Sequence, residues 1–166
     1  MTPVALKLPI VTAVHAALKP LGYRKSSAAF QRSIGDVVHI VEVQGSSANT
    51  ADDASFTVNI GVFAPALIYE DVREFTKPSI PQAHWRMRLG QLSPSRQDLW
   101  WRVTSLVDAE AAAVDICELI ERSALPALAQ IPDLVSLAAV WKSGHSPGLT
   151  ARQCTELLSR LPVAGA

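Results

Sequence analysis

Polar side chains recur at every second residue in three separate segments of the sequence, and this spacing places them on one face of a β-strand. In the last of these segments His84, Arg86 and Arg88 alternate with apolar residues. The complete set is Glu42, Gln44, Asn59, His84, Arg86 and Arg88. Guanidinium groups bind carboxylate or phosphate through paired N–H groups, and amides can orient a ligand. These residue types therefore indicate a face that could bind an anion.

The apolar residues of the same segments predict which face of the sheet is the inner one. The residues expected beneath the helices are Val37, Val41, Val43, Phe56, Val58, Ile60, Trp85, Met87 and Leu89. The six polar side chains then share the opposite face. An antiparallel sheet that is open on one side also carries polar residues there without any function, and Glu42 could pair with Arg86 or Arg88 across strands. Both interpretations, a binding face and a solvated face, stay open at this point.

The adjacent residues Trp100 and Trp101 lie in the last predicted strand, residues 98–103, so their rings point to opposite faces of the sheet. One ring is expected in the core. The other would cover the polar face or anchor a partner, because exposed tryptophan is favoured at interfaces. With Trp101 added and Glu42 left out, the predicted ligand-binding residues are Gln44, Asn59, His84, Arg86, Arg88 and Trp101.

These residues support two functional hypotheses. The first is a binding or protein-interaction module, whose polar sheet face engages a protein partner or a small anionic ligand. The second is a hydrolase or transferase that acts on an anionic substrate, with His84 as general base and Arg86 and Arg88 stabilising charge. No nucleophile is paired with a base, and Glu42 alone could orient His84. We therefore expect binding rather than catalysis.

Other chemical signatures are weaker still. No His/Cys pair has the spacing of zinc ligands, and no Gly-rich loop has that of a P-loop or a dinucleotide turn, so we expect neither a metal nor a cofactor. Fifteen basic residues balance fifteen acidic ones. This balance argues against a nucleic-acid partner, although Arg96 and Arg102 add to the arginines near the tryptophan pair.

Composition and cysteine usage predict the class of protein. The 166 residues, 49% apolar and 18% charged, fit one folded domain. Cys117 and Cys154 lie far apart in helix-like segments, which indicates free thiols in a reducing compartment. Residues 8–18 are mostly apolar, but Pro9 and His15 interrupt them, so we do not expect a secretion signal there. The sequence has no run of about 18 apolar residues, so we expect no membrane span. We expect a cytoplasmic, bacterial protein.

The elements that position these side chains follow a simple order. We predict a helix over residues 3–19, a strand region over 28–103 and a helical tail over 108–162. The strands are expected at residues 28–32, 36–44, 56–62, 84–92 and 98–103. Residues 64–83, with three prolines, form a long excursion that is either a functional lid or a variable insertion with a short helix.

Local signals define the helical tail and the fold class. Asp108 is the expected N-cap of its first helix, Pro126 and Pro132 are expected to break the chain, and Thr150 with Gln153 forms a capping box for its last helix. Strands and helices are segregated along the chain. This order predicts an α+β fold with two layers: an antiparallel meander of about five strands, and helices packed on one face of the sheet.

Six short motifs, in this order, resemble the family known as domain of unknown function 4304. They lie at residues 18–23, 30–32, 36–44, 56–62, 84–90 and 98–101. The resemblance implies no established activity. It places Gln44, Asn59, His84, Arg88 and Trp101 in recurring motifs of the family. The family pattern has a Cys before its His-x-Arg-x-Arg motif, where this chain has Ala83, so the resemblance gives no support to a Cys/His metal pair.

Overall fold

A computed structural model describes residues 2–68 and 77–161 of the chain. These residues form one antiparallel sheet with helices before and after it, which confirms the predicted α+β fold. The strands are β1 (Arg24–Ser26), β2 (Ala29–Ile34), β3 (Val37–Gly45), β4 (Ala54–Phe63), β5 (Trp85–Arg88) and β6 (Trp101–Val103). The helices are α1 (Pro3–Leu18), α2 (Leu89–Leu92), α3 (Leu106–Leu119), α4 (Leu125–Ala129), α5 (Leu134–Lys142) and α6 (Ala151–Ser159), with a π-helical turn at Ile120–Ala124 between α3 and α4.

Four of the five predicted strands, β2 to β5, follow the predicted meander, and with β1 they give the order β1-β2-β3-β4-β5. The last strand differs, because β6 pairs with β4 rather than with β5. Phe56 of β4 lies opposite both Gly45 of β3 and Trp101 of β6, so β5 and β6 share the second edge of β4. The long strand β4 is therefore the centre of the sheet. The three-residue strand β1 was not predicted.

The first face of the sheet carries the main core. The buried residues of α1 recur at helical spacing, with Leu6, Ile10, Val14 and Leu18 on one side of the helix. Helix α1 packs against α3 and against the sheet, where Val58 and its neighbours are fully buried. This arrangement confirms the predicted inner face.

Helix α5 crosses one end of the sheet. At its beginning the backbone N–H of Leu134 donates to Asp36 Oδ1 at 2.8 Å, in the turn between β2 and β3. At its end Trp141 Nε1 donates to the carbonyl oxygen of His84 at 3.1 Å, just before β5. The helical tail therefore reaches the residue that opens the predicted Arg-rich strand.

The second face of the sheet is partly covered. The strand β4 is therefore more buried than the half-buried strand that alternation predicted. Nine of the ten residues of β4 are buried. On this face Ile40, Phe63 and Ile80 form a small apolar cluster, with Ile68 packed against it. The described ends of the excursion thus lie over the sheet. The prediction of a lid or a variable insertion also concerns residues 69–76, which lie outside the described residues.

The strand predicted over residues 84–92 is shorter in the structure. It ends at Arg88, and Leu89–Leu92 forms a helical turn. The turn brings Gly90 against the chain that leads to β6, where a Cβ on Gly90 would lie 2.6 Å from the backbone nitrogen of Leu99. Alternation of residue types alone could not show this approach, because Leu99 comes from the next element.

Three signals in the helical tail have different outcomes. Ser105 rather than Asp108 is the N-cap of α3, and Asp108 accepts from the N-cap backbone as the third residue of a capping box. Pro126 does not break the chain, because the π-helical turn leads into α4 with Pro126 in its first turn. The capping box of Thr150 and Gln153 at the start of α6 is confirmed.

Among the described residues, Pro3–Leu21 is long and apolar enough by composition to cross a membrane, and so is the bent pair Leu106–Ala129 with Leu134–Lys142 if it is one span. In the structure five residues of α1 are buried in the core of the protein. The expectation that the chain has no membrane span stays a prediction.

Candidate functional site

Four of the six predicted ligand-binding residues line one cavity on the second face of the sheet. Gln44, Asn59, Arg86 and Arg88 line a volume of about 280 Å³ together with the apolar residues Ile80, Pro81 and Met87 and with Gly148; we call it the polar cavity after its four polar side chains. They come from three neighbouring strands, because Asn59 on β4 lies between Glu42 on β3 and Arg88 on β5. The antiparallel register of β3, β4 and β5 therefore brings these side chains together.

An amide pair forms the floor of the polar cavity. The amide nitrogen of Asn59 donates to Gln44 Oε1 at 2.7 Å and to Glu42 Oε2 at 3.4 Å. Asn59 is 8% exposed, whereas Gln44 is exposed at the mouth. The two bonds fix the orientation of the Asn59 amide, so a ligand would meet an ordered polar floor.

Arg88 is held at one side of the polar cavity by two neighbours. Its guanidinium group pairs with the Asp98 carboxylate and lies 5.0 Å from the centroid of the Trp100 ring. Trp100 Nε1 donates to the same carboxylate at 3.3 Å. An arginine has five N–H donors, so these contacts position the guanidinium group and leave donors for a ligand.

Arg86 is held between the excursion and the loop that follows α5. Its Nη1 donates to the carbonyl oxygen of Pro81 at 2.9 Å. Its backbone N–H donates to the carbonyl oxygen of Pro147 at 3.2 Å, which covers the outer edge of β5. Gly148 lies so close that a Cβ there would be 2.2 Å from Arg86 Cγ, and its φ of +84° favours glycine. The loop therefore forms a wall of the polar cavity.

His84 lies outside the lining of the polar cavity and is buried. Its Nδ1 accepts from the backbone N–H of Ala64 at 3.0 Å, and its ring stacks on Phe63 and meets the edge of Trp141. Burial, with a smaller effect of the Arg160 charge, lowers the pKa of His84 to about 4. The proton of the neutral ring lies on Nε2, so neither nitrogen offers a free lone pair. A general base needs one, and the hypothesis of an enzyme gains no support from this geometry.

Trp101 also lies apart from the other predicted residues. It pairs with Phe56, whose side chain faces α1 and α3, and it packs against the main core. Its Nε1 donates to Asp115 Oδ2 at 2.6 Å on α3. The prediction that the two tryptophans face opposite sides agrees with the structure, but Trp100 is the one beside Arg88. The register of β6 on β4 decides this, and the sequence does not show that register.

Sequence reasoning missed the walls of the polar cavity. Ile80 and Pro81 come from the excursion and Gly148 from the loop between α5 and α6. Strand alternation carries no signal for these walls, because they come from segments outside the strands. Within residues 2–68 and 77–161, no group of three or more His, Cys, Asp or Glu side chains could hold a metal ion.

Comparison with known proteins gives one result. The family model of a domain of unknown function, DUF4304, matches residues 14–130, which is more than half of the chain. This range contains all six strands and the four predicted residues that line the polar cavity, whereas α5 and α6 follow it. No curated protein and no solved structure matches the chain. The chain belongs to the DUF4304 family.

Proposed function

We propose that this protein is a binding module and that the polar cavity holds a carboxylate group, presented by a small anionic ligand or by a protein partner. One observation carries the proposal: Gln44, Asn59, Arg86 and Arg88 converge from three strands on one cavity. Two guanidinium groups beside ordered amides are the groups that recognise a carboxylate through paired hydrogen bonds.

The charge of the surroundings favours a carboxylate over a phosphate. Arg86 and Arg88 bring two positive charges, and Glu42 and Asp98 bring two negative ones within contact of the lining residues. A dianionic phosphate would meet both carboxylates, and like charges in a partly buried site repel strongly. A single negative charge can replace Asp98 as a partner of Arg88 with less repulsion.

The size of the polar cavity limits what can enter. Ligand pockets typically have volumes of about 300–1,000 Å³, and the polar cavity has about 280 Å³. At about 30 Å³ per water molecule this volume holds about nine waters, so it can take a small molecule or a single side chain rather than a whole cofactor. The carboxylate end of a small acid or a single acidic side chain meets this limit.

Titration with glutarate, followed through the arginine Nε–H signals in NMR spectra, tests the proposal. We expect glutarate to shift the signals of Arg86 and Arg88, and its uncharged diamide to leave them in place. Arg86→Lys and Arg88→Lys keep the charge but lose the paired donors, and each should weaken binding about tenfold. Arg122→Lys, at an exposed residue of the π-helical turn, is the matched control.

Three results would count against the proposal. The first is equal binding by the two cavity variants and the Arg122→Lys control. The second is equal binding of glutarate and its diamide. The third is tighter binding of inorganic phosphate than of glutarate, which would show that the charge argument is wrong. Thermal unfolding of each variant checks that a loss of binding is not a loss of fold.

The free cysteines support a reducing compartment for this function. Both Cys117 and Cys154 are free in the structure, and Cys154 is buried. Free thiols are typical of the cytoplasm. A cytoplasmic location is therefore part of the proposal.

A further inference from the structure

A second concave surface lies on the other side of the molecule, between α1 and the helical segment formed by α3 and α4. It encloses about 800 Å³ and is lined mainly by apolar atoms. Pro9, Ala13 and Ala17 form one wall, and Ala113, Val114 and Cys117 form the other. We call this surface the apolar groove. It shares no lining residue with the polar cavity.

The apolar groove exposes large apolar side chains to water. Surface helices usually carry polar residues on the side away from the core. Here Leu21, just after α1, is 41% exposed at one wall of the apolar groove, and Val114 on α3 is 62% exposed at the other wall. Apolar side chains that are exposed beside a groove are typical of a surface that another chain covers.

The shape of the apolar groove fits a helix. Small residues such as Ala13, Ala17 and Ala113 line it and let a third backbone approach closely. An α-helix with its side chains is about 10 Å wide, so a volume of about 800 Å³ holds about 10 Å of helix, which is about two turns. The contact would use apolar residues of the partner at positions i, i+3 or i+4, and i+7.

The charged residues of the apolar groove are all acidic. Glu110, Glu118 and Glu121 line its α3 side, and no Lys or Arg is among the described lining residues. Glu110 and Glu118 are eight residues apart on α3, about 12 Å along its axis. A helix with Lys or Arg along one flank would complement this row of carboxylates.

We infer that the apolar groove binds an amphipathic helix of a partner protein, one that carries Lys or Arg beside its apolar face. The charges disfavour the other occupants. A two-fold dimer through this surface would bring the same acidic row against itself. Residues 162–166 of this chain contain no basic side chain, so they cannot supply the complementary charge.

A synthetic peptide of leucine and lysine, about 14 residues long with its leucines at helical spacing, is the probe. The control peptide has glutamate at each lysine position. Fluorescence anisotropy of the labelled peptides with the full-length protein should show at least about tenfold tighter binding of the lysine peptide, and added salt should weaken it. The lysine peptide should also protect Cys117 from alkylation. That reaction needs alkaline conditions, because burial raises the pKa of this thiol.

Exposed positions provide variants that keep the fold. Val114→Arg places a long cationic side chain in the apolar groove and should weaken the lysine peptide at least about tenfold. Val135→Arg on α5, where Val135 is 78% exposed and outside the apolar groove, should leave binding unchanged. The double change Glu118→Lys and Glu121→Lys should reverse the preference between the two peptides, which non-specific adhesion cannot do.

The inference is wrong if both peptides bind equally well, if Val114→Arg and Val135→Arg act alike, or if the double change does not reverse the preference. It is also wrong if sedimentation shows a dimer of the free protein that Val114→Arg dissociates, because a second copy would then occupy the apolar groove. None of these results depends on the polar cavity, whose variants are different residues.

Discussion

Acidification should destabilise this protein through one buried histidine, His84. Its pKa is lowered from 6.5 to about 4, mainly by burial. In the unfolded chain the same ring binds a proton below about pH 6.5. The unfolded state therefore takes up more protons than the folded state between these two values. The stabilising contribution of the neutral ring is fully present above about pH 6.5 and is lost as the pH falls towards 4.

The pKa difference sets the size of the effect. A shift of one pKa unit corresponds to about 1.4 kcal/mol, so lowering the pKa from 6.5 to about 4 corresponds to about 3–4 kcal/mol once the titration is complete. At about pH 5 the titration is part complete, and the expected loss is about 2 kcal/mol in the free energy of unfolding. This is a large share of the total for a domain of this size.

Urea unfolding of the wild type and of His84→Asn, measured between about pH 7 and pH 5, isolates the effect. The Oδ1 atom of Asn can take the place of Nδ1 and accept from the Ala64 N–H, but it does not titrate. Burial also lowers the pKa of His39, and this residue stays in both proteins. Its contribution cancels in the comparison.

We expect the wild type to lose about 2 kcal/mol more than His84→Asn over this pH range. In NMR spectra the ring signals of His84 should stay constant over the same range. An equal loss of stability in both proteins, or ring signals that titrate near the ordinary histidine value, would refute the reasoning. The second result would also restore His84 as a group that can exchange protons at neutral pH.

Two further changes test the contacts around the site. Gly90→Ala should destabilise the protein by about 3 kcal/mol in urea unfolding, because a Cβ would lie 2.2 Å from the carbonyl oxygen of Gln97. Gly144→Ala, whose Cβ would meet no atom within 4 Å, should cost only the strain of its φ of +81°, about 1 kcal/mol, and equal costs would contradict the close approach at Gly90. Trp141→Phe removes the donor to the buried carbonyl of His84 and should cost about 2 kcal/mol, measured by the same unfolding assay. Trp100→Phe, where the lost bond is exposed, should cost under about 0.5 kcal/mol, and a similar cost for both would show that the Trp141 bond is not buried.

The residues of the polar cavity were predictable because strand alternation is a local property. Side chains two residues apart share a face in any strand, so Arg86 and Arg88 belong together whatever surrounds them. Antiparallel pairing then places Asn59 and Gln44 on the same face once the inner residues are assigned. The structure brings these four residues to one cavity, although their function stays a prediction.

The positions of His84 and Trp101 were not predictable, because they depend on residues far along the chain. Trp141, which is 57 residues after His84, covers its carbonyl and packs on its ring. Trp101 faces the main core because β6 pairs with β4 at Phe56, and no local pattern encodes that register. Contacts of this kind come from tertiary packing, which overrides alternation.

The polar groups of the polar cavity and one of its walls come from different parts of the chain. Gln44, Asn59 and both arginines lie within the segment that the family model matches, residues 14–130. Gly148 lies beyond it and contacts Arg86 directly. A larger residue at position 148 would displace the Arg86 side chain, so the loop between α5 and α6 positions one of the two arginines of the polar cavity. We therefore expect changes in this loop to alter ligand binding through Arg86, even though the loop lies outside the segment that the family model matches.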